Sequence, residues 1–193
     1  MSDLFAIFIS TCLVNNLVLN HLLGLPPGIA LSRKIDIARG LAYAMILILT
    51  LTAAATYAVN QWLLIPLGLE YLQPLALLLV IALVLAVLDL ALKYARPAWH
   101  ADIVVFLPLS YINSAVLGTA LLSTAHTHGL AGALCFGLGS GVGYGLVMIM
   151  LAAMEERLAV ADIPAPFRGI SIILITLGIM SMAFMGFTGL VTR

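Results

Sequence analysis

Charge is what this chain has least of. Only 8% of its 193 residues are Asp, Glu, Lys or Arg, against 64% hydrophobic, and the mean hydropathy is +1.21. A soluble domain is about half apolar and about a quarter charged. A water-soluble fold of this size could not cover so much apolar surface with so few polar groups. The solvent is therefore lipid. Eight Lys+Arg balance eight Asp+Glu, so there is neither a basic field for nucleic acid nor an acidic tail. Cysteine is nearly absent as well. Cys12 and Cys135 both lie in apolar runs, without CxxC spacing, which argues against a disulfide framework. The first residues lack the basic region of a secretory signal, so the opening apolar run is expected to be a first membrane span. Ser-His-Asp sets, paired carboxylates, HExxH and nucleotide loops are all missing, and no bond chemistry is expected of the chain unaided.

Apolar length is what the chain does have. About 20 residues of helix cross about 30 Å of hydrocarbon, and six stretches qualify: 4–23, 41–60, 72–92, 103–123, 130–153 and 169–191. Gly and Pro mark the breaks: Gly24, Pro26, Pro27 and Gly28; Pro66 and Gly68; Pro97; Gly129; Pro164 and Pro166. The expected fold is all-α, one polytopic membrane domain over 1–193. Arg33, Lys34, Arg39, Lys93, Arg96, Arg157 and Arg168 fall after the first, third and fifth spans, and the other side holds only Arg193. Cytoplasmic loops carry the Lys/Arg excess, so those loops are expected inside and both termini outside. Tyr57 and Trp62 towards one face, with Tyr94 and Trp99 towards the other, fit interfacial aromatic belts.

The two halves resemble each other. Val14-Asn15-Asn16-Leu17-Val18-Leu19 in the first span is matched by Ile112-Asn113-Ser114-Ala115-Val116-Leu117 in the fourth. With three spans in each half, the second copy enters from the opposite side. The expectation is two inverted repeats, about 1–97 and 98–193, with the first and fourth helices broken. Asn15, Asn16, Asn113 and Ser114 would then either form a pocket at the repeat junction, with Asn15 facing Asn113, or satisfy broken backbone by interhelical bonds worth about 0.6 kcal/mol each.

Other polar groups have plainer readings beside the functional ones. His21 could titrate near neutrality or sit at the interface. Asp89 could be ion-linked, or it could pair with Lys93 one turn on. His126 and His128 would need outside ligands to hold a metal, and none is assigned. Gly137, Gly141 and Gly145 share a helical face and read as a close-packing surface. Glu155-Glu156-Arg157 and the loop from Asp162 to Arg168 form a polar inner segment, either a docking surface or a solvated turn.

Several motifs together resemble the RnfA/NqrE family: Val14-Asn15-Asn16, Leu23-Gly24-Leu25, Ser32-Arg33-Lys34, Leu69-Glu70-Tyr71-Leu72, Phe106-Leu107-Pro108-Leu109 and Ala115-Val116-Leu117-Gly118. The most specific are residues 160–169, Val-Ala-Asp-Ile-Pro-Ala-Pro-Phe-Arg-Gly, and the ending Met180-Ser181-Met182-Ala183-Phe184-Met185-Gly186-Phe187. The resemblance implies a six-helix subunit of the bacterial inner membrane, within an Rnf-type complex. Such a complex moves electrons between ferredoxin and NAD and couples this to Na⁺ or H⁺ movement. It also implies a homologous RnfE-like partner of opposite topology, other Rnf-type subunits carrying flavins and iron–sulfur clusters, and a [2Fe–2S] cluster between the two membrane subunits held by two cysteines from each. At those two positions this chain departs from the family. It has Pro26 in Leu23-Gly24-Leu25-Pro26-Pro27 and Ser114 in Ile112-Asn113-Ser114. Proline offers no ligand, and serine is a hard alcohol poorly suited to replace thiolate at iron. Two further readings stand beside the family role: a cluster-less structural paralogue in such a complex, and a small secondary transporter on the same inverted repeat.

Overall fold

A computed structural model describes residues 2–25, 35–95, 104, 106–111, 113–127 and 129–187. Among these the chain is helical with no strand, as an all-helical membrane protein requires, because helices satisfy their own backbone groups away from water. Pro26, Trp99 and His128 lie outside the described residues.

The first apolar run does not form one helix. Helix α1 (Ser2–Ile9) passes into a π-helical turn (Ser10–Val14) and stops at Asn15. The chain restarts at Asn16 as α2 (Leu17–His21) and closes with Leu22 in the left-handed region. After the undescribed segment, α3 (Ile35–Val59) continues through a π turn (Asn60–Leu64) and a last helical turn (Ile65–Leu67). The sequence pattern ends this span at residue 60, with Pro66 and Gly68 as the interruption before the next. The helix runs on through the π turn and ends at Gly68, φ 65°, in a Schellman cap, with Leu69 N donating to Leu64 O at 3.0 Å and Gly68 N to Ile65 O at 3.1 Å. Helix α4 (Gln73–Ala95) follows a 3-10 turn (Glu70–Leu72).

The same order then recurs. A short α5 (Leu107–Tyr111) precedes a second break, and Asn113 starts α6 (Ser114–His126). A long α7 (Leu130–Leu158) and a shorter apolar α8 (Ile170–Met185) complete the chain. The continuous helical stretches Ile35–Leu67, Glu70–Tyr94 and Leu130–Leu158 have 33, 25 and 29 residues. At 1.5 Å per residue each exceeds about 30 Å, enough to cross a bilayer.

Helices α3 and α7 form the centre, and glycine makes their contact possible. A Cβ built on Gly137 would lie 2.8 Å from Leu49 O, one on Gly141 2.6 Å from Ile46 Cα, and one on Gly145 2.8 Å from Ala42 Cβ. Positions rise along α7 as they fall along α3, so the two helices run antiparallel. Small residues in one stripe let backbones approach where no hydrophobic drive operates between helices in lipid. The opposite glycine face meets the first broken helix: Gly139 lies against Thr11 and Phe8, and Gly143 against Cys12 and Asn16.

Around this pair, Leu41, Met45, Ile48 and Leu49 of α3, Val18 of α2, Val116 of α6, and Tyr144, Met148 and Leu151 of α7 are buried. Helix α4 contributes one stripe, Leu77, Ile81, Leu85, Leu88 and Leu92, at helical spacing. Its other face, with Leu75, Leu79, Leu83, Val87 and Leu90, is exposed. An apolar outward face suits hydrocarbon rather than water. Trp62 and Tyr94, expected at the interfaces, are both exposed, and Tyr57 accepts a hydrogen bond from Gly129 N at 2.7 Å.

Candidate functional site at the helix breaks

A helix broken inside an apolar core leaves backbone N–H groups without carbonyl partners, and each must be satisfied locally. Asn16 does this for α2. Its Oδ1 accepts from Val18 N at 3.0 Å and Leu19 N at 3.4 Å, and its Nδ2 donates to Cys12 O at 2.9 Å. One fully buried side chain thus ties both sides of the break together. Asn113 plays the same part for α6, its Oδ1 accepting from Ala115 N at 2.9 Å. The Asn113 Nδ2 lies 3.8 Å from Met45 Sδ.

Both breaks lie near α7. Asn16 abuts Gly143, where a Cβ would lie 2.8 Å from its Nδ2, and Asn113 flanks Gly24 together with Tyr144. Asn15 behaves differently. It is exposed and donates from Nδ2 to Ser10 Oγ at 3.0 Å. The capping pair is therefore Asn16 and Asn113, both buried.

The loop after α2 is drawn into this junction. Gly24, at φ 78°, donates its N–H to Ser114 Oγ at 2.9 Å and accepts at its carbonyl from the Tyr144 hydroxyl at 3.2 Å. A Cβ on Gly24 would lie 2.6 Å from Tyr144 Cε2 and 2.9 Å from Ala115 Cβ. Only glycine fits there, both for space and for the left-handed backbone. Leu23 covers Gly118 of α6, and Ser181 of α8 donates to Leu19 O at 3.2 Å. Ser114 is exposed as a residue, so the junction reaches the outer face of the chain.

The remaining polar groups lie elsewhere. His21 is exposed in the last turn of α2. Asp89 is part-buried on α4, one turn before exposed Lys93, and has a partner of its own. His126 Nδ1 lies 3.0 Å from Leu122 O. At the opposite end Glu156 Oε1 accepts from Ile35 N at 3.1 Å, placing a carboxylate on the start of α3. Arg168 closes its loop with Nε on Ile163 O at 2.9 Å and an ion pair to Asp162 at 3.9 Å.

The junction brings together two amides, a hydroxyl and a phenol. Among the described residues no group of three or more His, Cys, Asp or Glu comes together. The [2Fe–2S] cluster implied by the resemblance does not fit the donors present. Ser114 offers an alcohol already bound to Gly24 N, Cys12 is buried on the first broken helix, and Cys135 is nine residues before Tyr144 on α7, about 13 Å along a helix. Tyr144 and Gly24, which complete the junction, do not stand out in the sequence as site residues. The available signal was a single aromatic side chain set in a run of alternating glycines.

Comparison with known proteins agrees with this architecture. The family described as "Rnf-Nqr subunit, membrane protein" matches residues 4–191. A protein of Psychromonas ingrahamii, named for the component lettered A of an ion-translocating oxidoreductase complex, is 47% identical over 191 residues, covering 99% of this chain and 100% of the relative. Proteins of the same name from Edwardsiella ictaluri and Pseudoalteromonas atlantica are 47% and 46% identical, with 99% of both chains covered in each case.

Proposed function

The chain belongs to the Rnf-Nqr family of membrane subunits, and from that premise we propose that it serves as an RnfA-like membrane component of an ion-translocating oxidoreductase complex. The observation that carries this is the likeness to proteins named as a component of such a complex, over 99% of the chain at 47% identity. In this reading the complex passes electrons between ferredoxin and NAD and moves Na⁺ or H⁺ across the bacterial inner membrane. Flavins and iron–sulfur clusters sit on partner subunits. An RnfE-like homologue of opposite topology packs beside this chain.

The order broken helix, long helix, shorter helix occurs twice, and the two long helices are antiparallel. Both facts support two inverted repeats within one domain. The cation distribution supports periplasmic termini, with cytoplasmic loops after the first, third and fifth spans. Asn16, Asn113, Gly24, Ser114 and Tyr144 would form the rigid centre on which the repeats are joined. Inverted-repeat membrane proteins place their functional site between discontinuous helices. The proline and serine at the family's cysteine positions favour one variant of this reading, a structural partner in the complex rather than an electron relay.

Inverted membrane vesicles supply the test. Vesicles from wild-type cells should build an ion gradient on addition of reduced ferredoxin and NAD, and vesicles from cells lacking this gene should not until the gene is restored. An unchanged gradient in the deletion strain would refute the proposal.

A further inference from the structure

We infer that the junction between the two helix breaks is a metal-independent lock, closed by hydrogen bonds through the Gly24 peptide. The inference deepens the proposed function and rests on it for the complex in which the chain works. Three observations carry it.

The Gly24 peptide is engaged at both ends by the second half of the chain. Ser114 Oγ takes its N–H at 2.9 Å, and the Tyr144 hydroxyl donates to its carbonyl at 3.2 Å. A loop from the first half is thereby fixed to both α6 and α7. Nothing in the arrangement requires a metal to draw the two breaks together.

The atoms available are wrong for a soft metal centre. The chain has two cysteines, and neither belongs to the Gly24 loop or to the Asn113–Ser114 turn. The hydroxyl of Ser114 stands at the turn itself, and at neutral pH an alcohol is neither thiolate-like nor ionised. Pro26, two residues beyond Gly24, has no donor atom in its side chain.

Finally, the lock is complete without a further ligand. The buried amides of Asn16 and Asn113 spend their oxygens on helix caps; the Asn16 nitrogen donates to Cys12 O, and the Asn113 nitrogen lies 3.8 Å from Met45 Sδ. A residue that holds two breaks by neutral hydrogen bonds is a positioning residue. Ser114 and Tyr144 therefore set the relative placement of the halves.

The test uses the full-length chain purified in detergent. Iron and acid-labile sulfide are measured per chain, and thermal unfolding is followed with and without dithionite plus a strong chelator. The expected result is iron and sulfide at the background of a blank preparation, with a Tm that the reagents leave unmoved. Ser114→Ala should lower Tm by about 2–4 °C, the effect of about one hydrogen bond in a chain of this size. Ser114→Thr, which keeps the hydroxyl, should restore it. Stoichiometric iron with labile sulfide, a Tm that falls on chelation, or a Ser114→Ala variant as stable as wild type would each overturn the inference. None of these readouts depends on which proteins co-purify, so loss of the lock and loss of the proposed complex are told apart.

Discussion

Ser114 Oγ accepts the Gly24 amide at 2.9 Å across 90 residues of sequence. That single bond joins a loop in the first half of the chain to the first turn of α6 in the second. Its neighbours complete the joint: Tyr144 on the Gly24 carbonyl, and Asn113 on the α6 backbone. The consequences of this arrangement can be measured.

The two capping amides should differ in weight. Asn16→Ala removes two accepted bonds and one donated bond at a fully buried position. Asn113→Ala removes one cap together with its contact to Met45. An N-cap is worth about 1 kcal/mol, with an upper end of about 2 kcal/mol. Thermal unfolding in detergent should therefore rank Asn16→Ala below Asn113→Ala and both below wild type. Asn15→Ala, altering an exposed side chain bonded to Ser10, should be nearly neutral.

Tyr144→Phe removes only the hydroxyl that reaches Gly24 O. The ring stays buried, so the loss should be about 1 kcal/mol, the net value of one hydrogen bond. The Gly24 amide should also exchange its hydrogen faster in this variant. Unchanged exchange at Gly24 would mean that the Tyr144 hydroxyl does not hold the loop.

Two glycines separate packing from helix propensity. Gly141→Ala places a methyl 2.6 Å from Ile46 Cα in the α3–α7 contact, and overpacking of that kind costs about 1–3 kcal/mol. Gly178→Ala on α8 meets nothing within 4 Å and replaces a poor helix former, a gain of up to about 1 kcal/mol. Opposite shifts in Tm are expected. Equal shifts would place the close contact elsewhere.

Topology is open to direct labelling. Cysteines introduced by Ala161→Cys and His126→Cys replace exposed side chains on opposite sides of the expected membrane. A membrane-impermeant maleimide should label the first only in inverted vesicles and the second only in intact spheroplasts. Cys12 is buried and Cys135 half-buried, so background labelling should come chiefly from Cys135. Labelling of both sites from one side would remove the inside–outside assignment.

Much of this was legible in the sequence because lipid imposes a simple rule. A chain with 8% charged residues must bury its backbone in helices, and Gly and Pro mark where they end. The helix breaks were legible too, since amide side chains inside apolar runs need partners. The register between halves was not. The similarity of two short motifs sets Asn15 beside Asn113, whereas capping geometry gives Asn16 the role that Asn113 plays in the second half. Six similar residues do not determine which of two adjacent asparagines turns inward. The length of α3 was hidden as well, because a π turn that carries the helix on past Asn60 leaves no simple mark in composition. Gly24 and Tyr144 were hidden for a third reason. Their roles arise from a contact spanning 120 residues, and local pattern carries no trace of it.

The most direct test is what this chain keeps company with in its own membrane. A tagged copy, gently solubilised and purified, should bring with it a homologous membrane protein together with flavin-bearing and iron–sulfur subunits in fixed proportion, identified by mass spectrometry. Recovery of the chain alone, or only with further copies of itself, would contradict its place in an ion-translocating oxidoreductase complex.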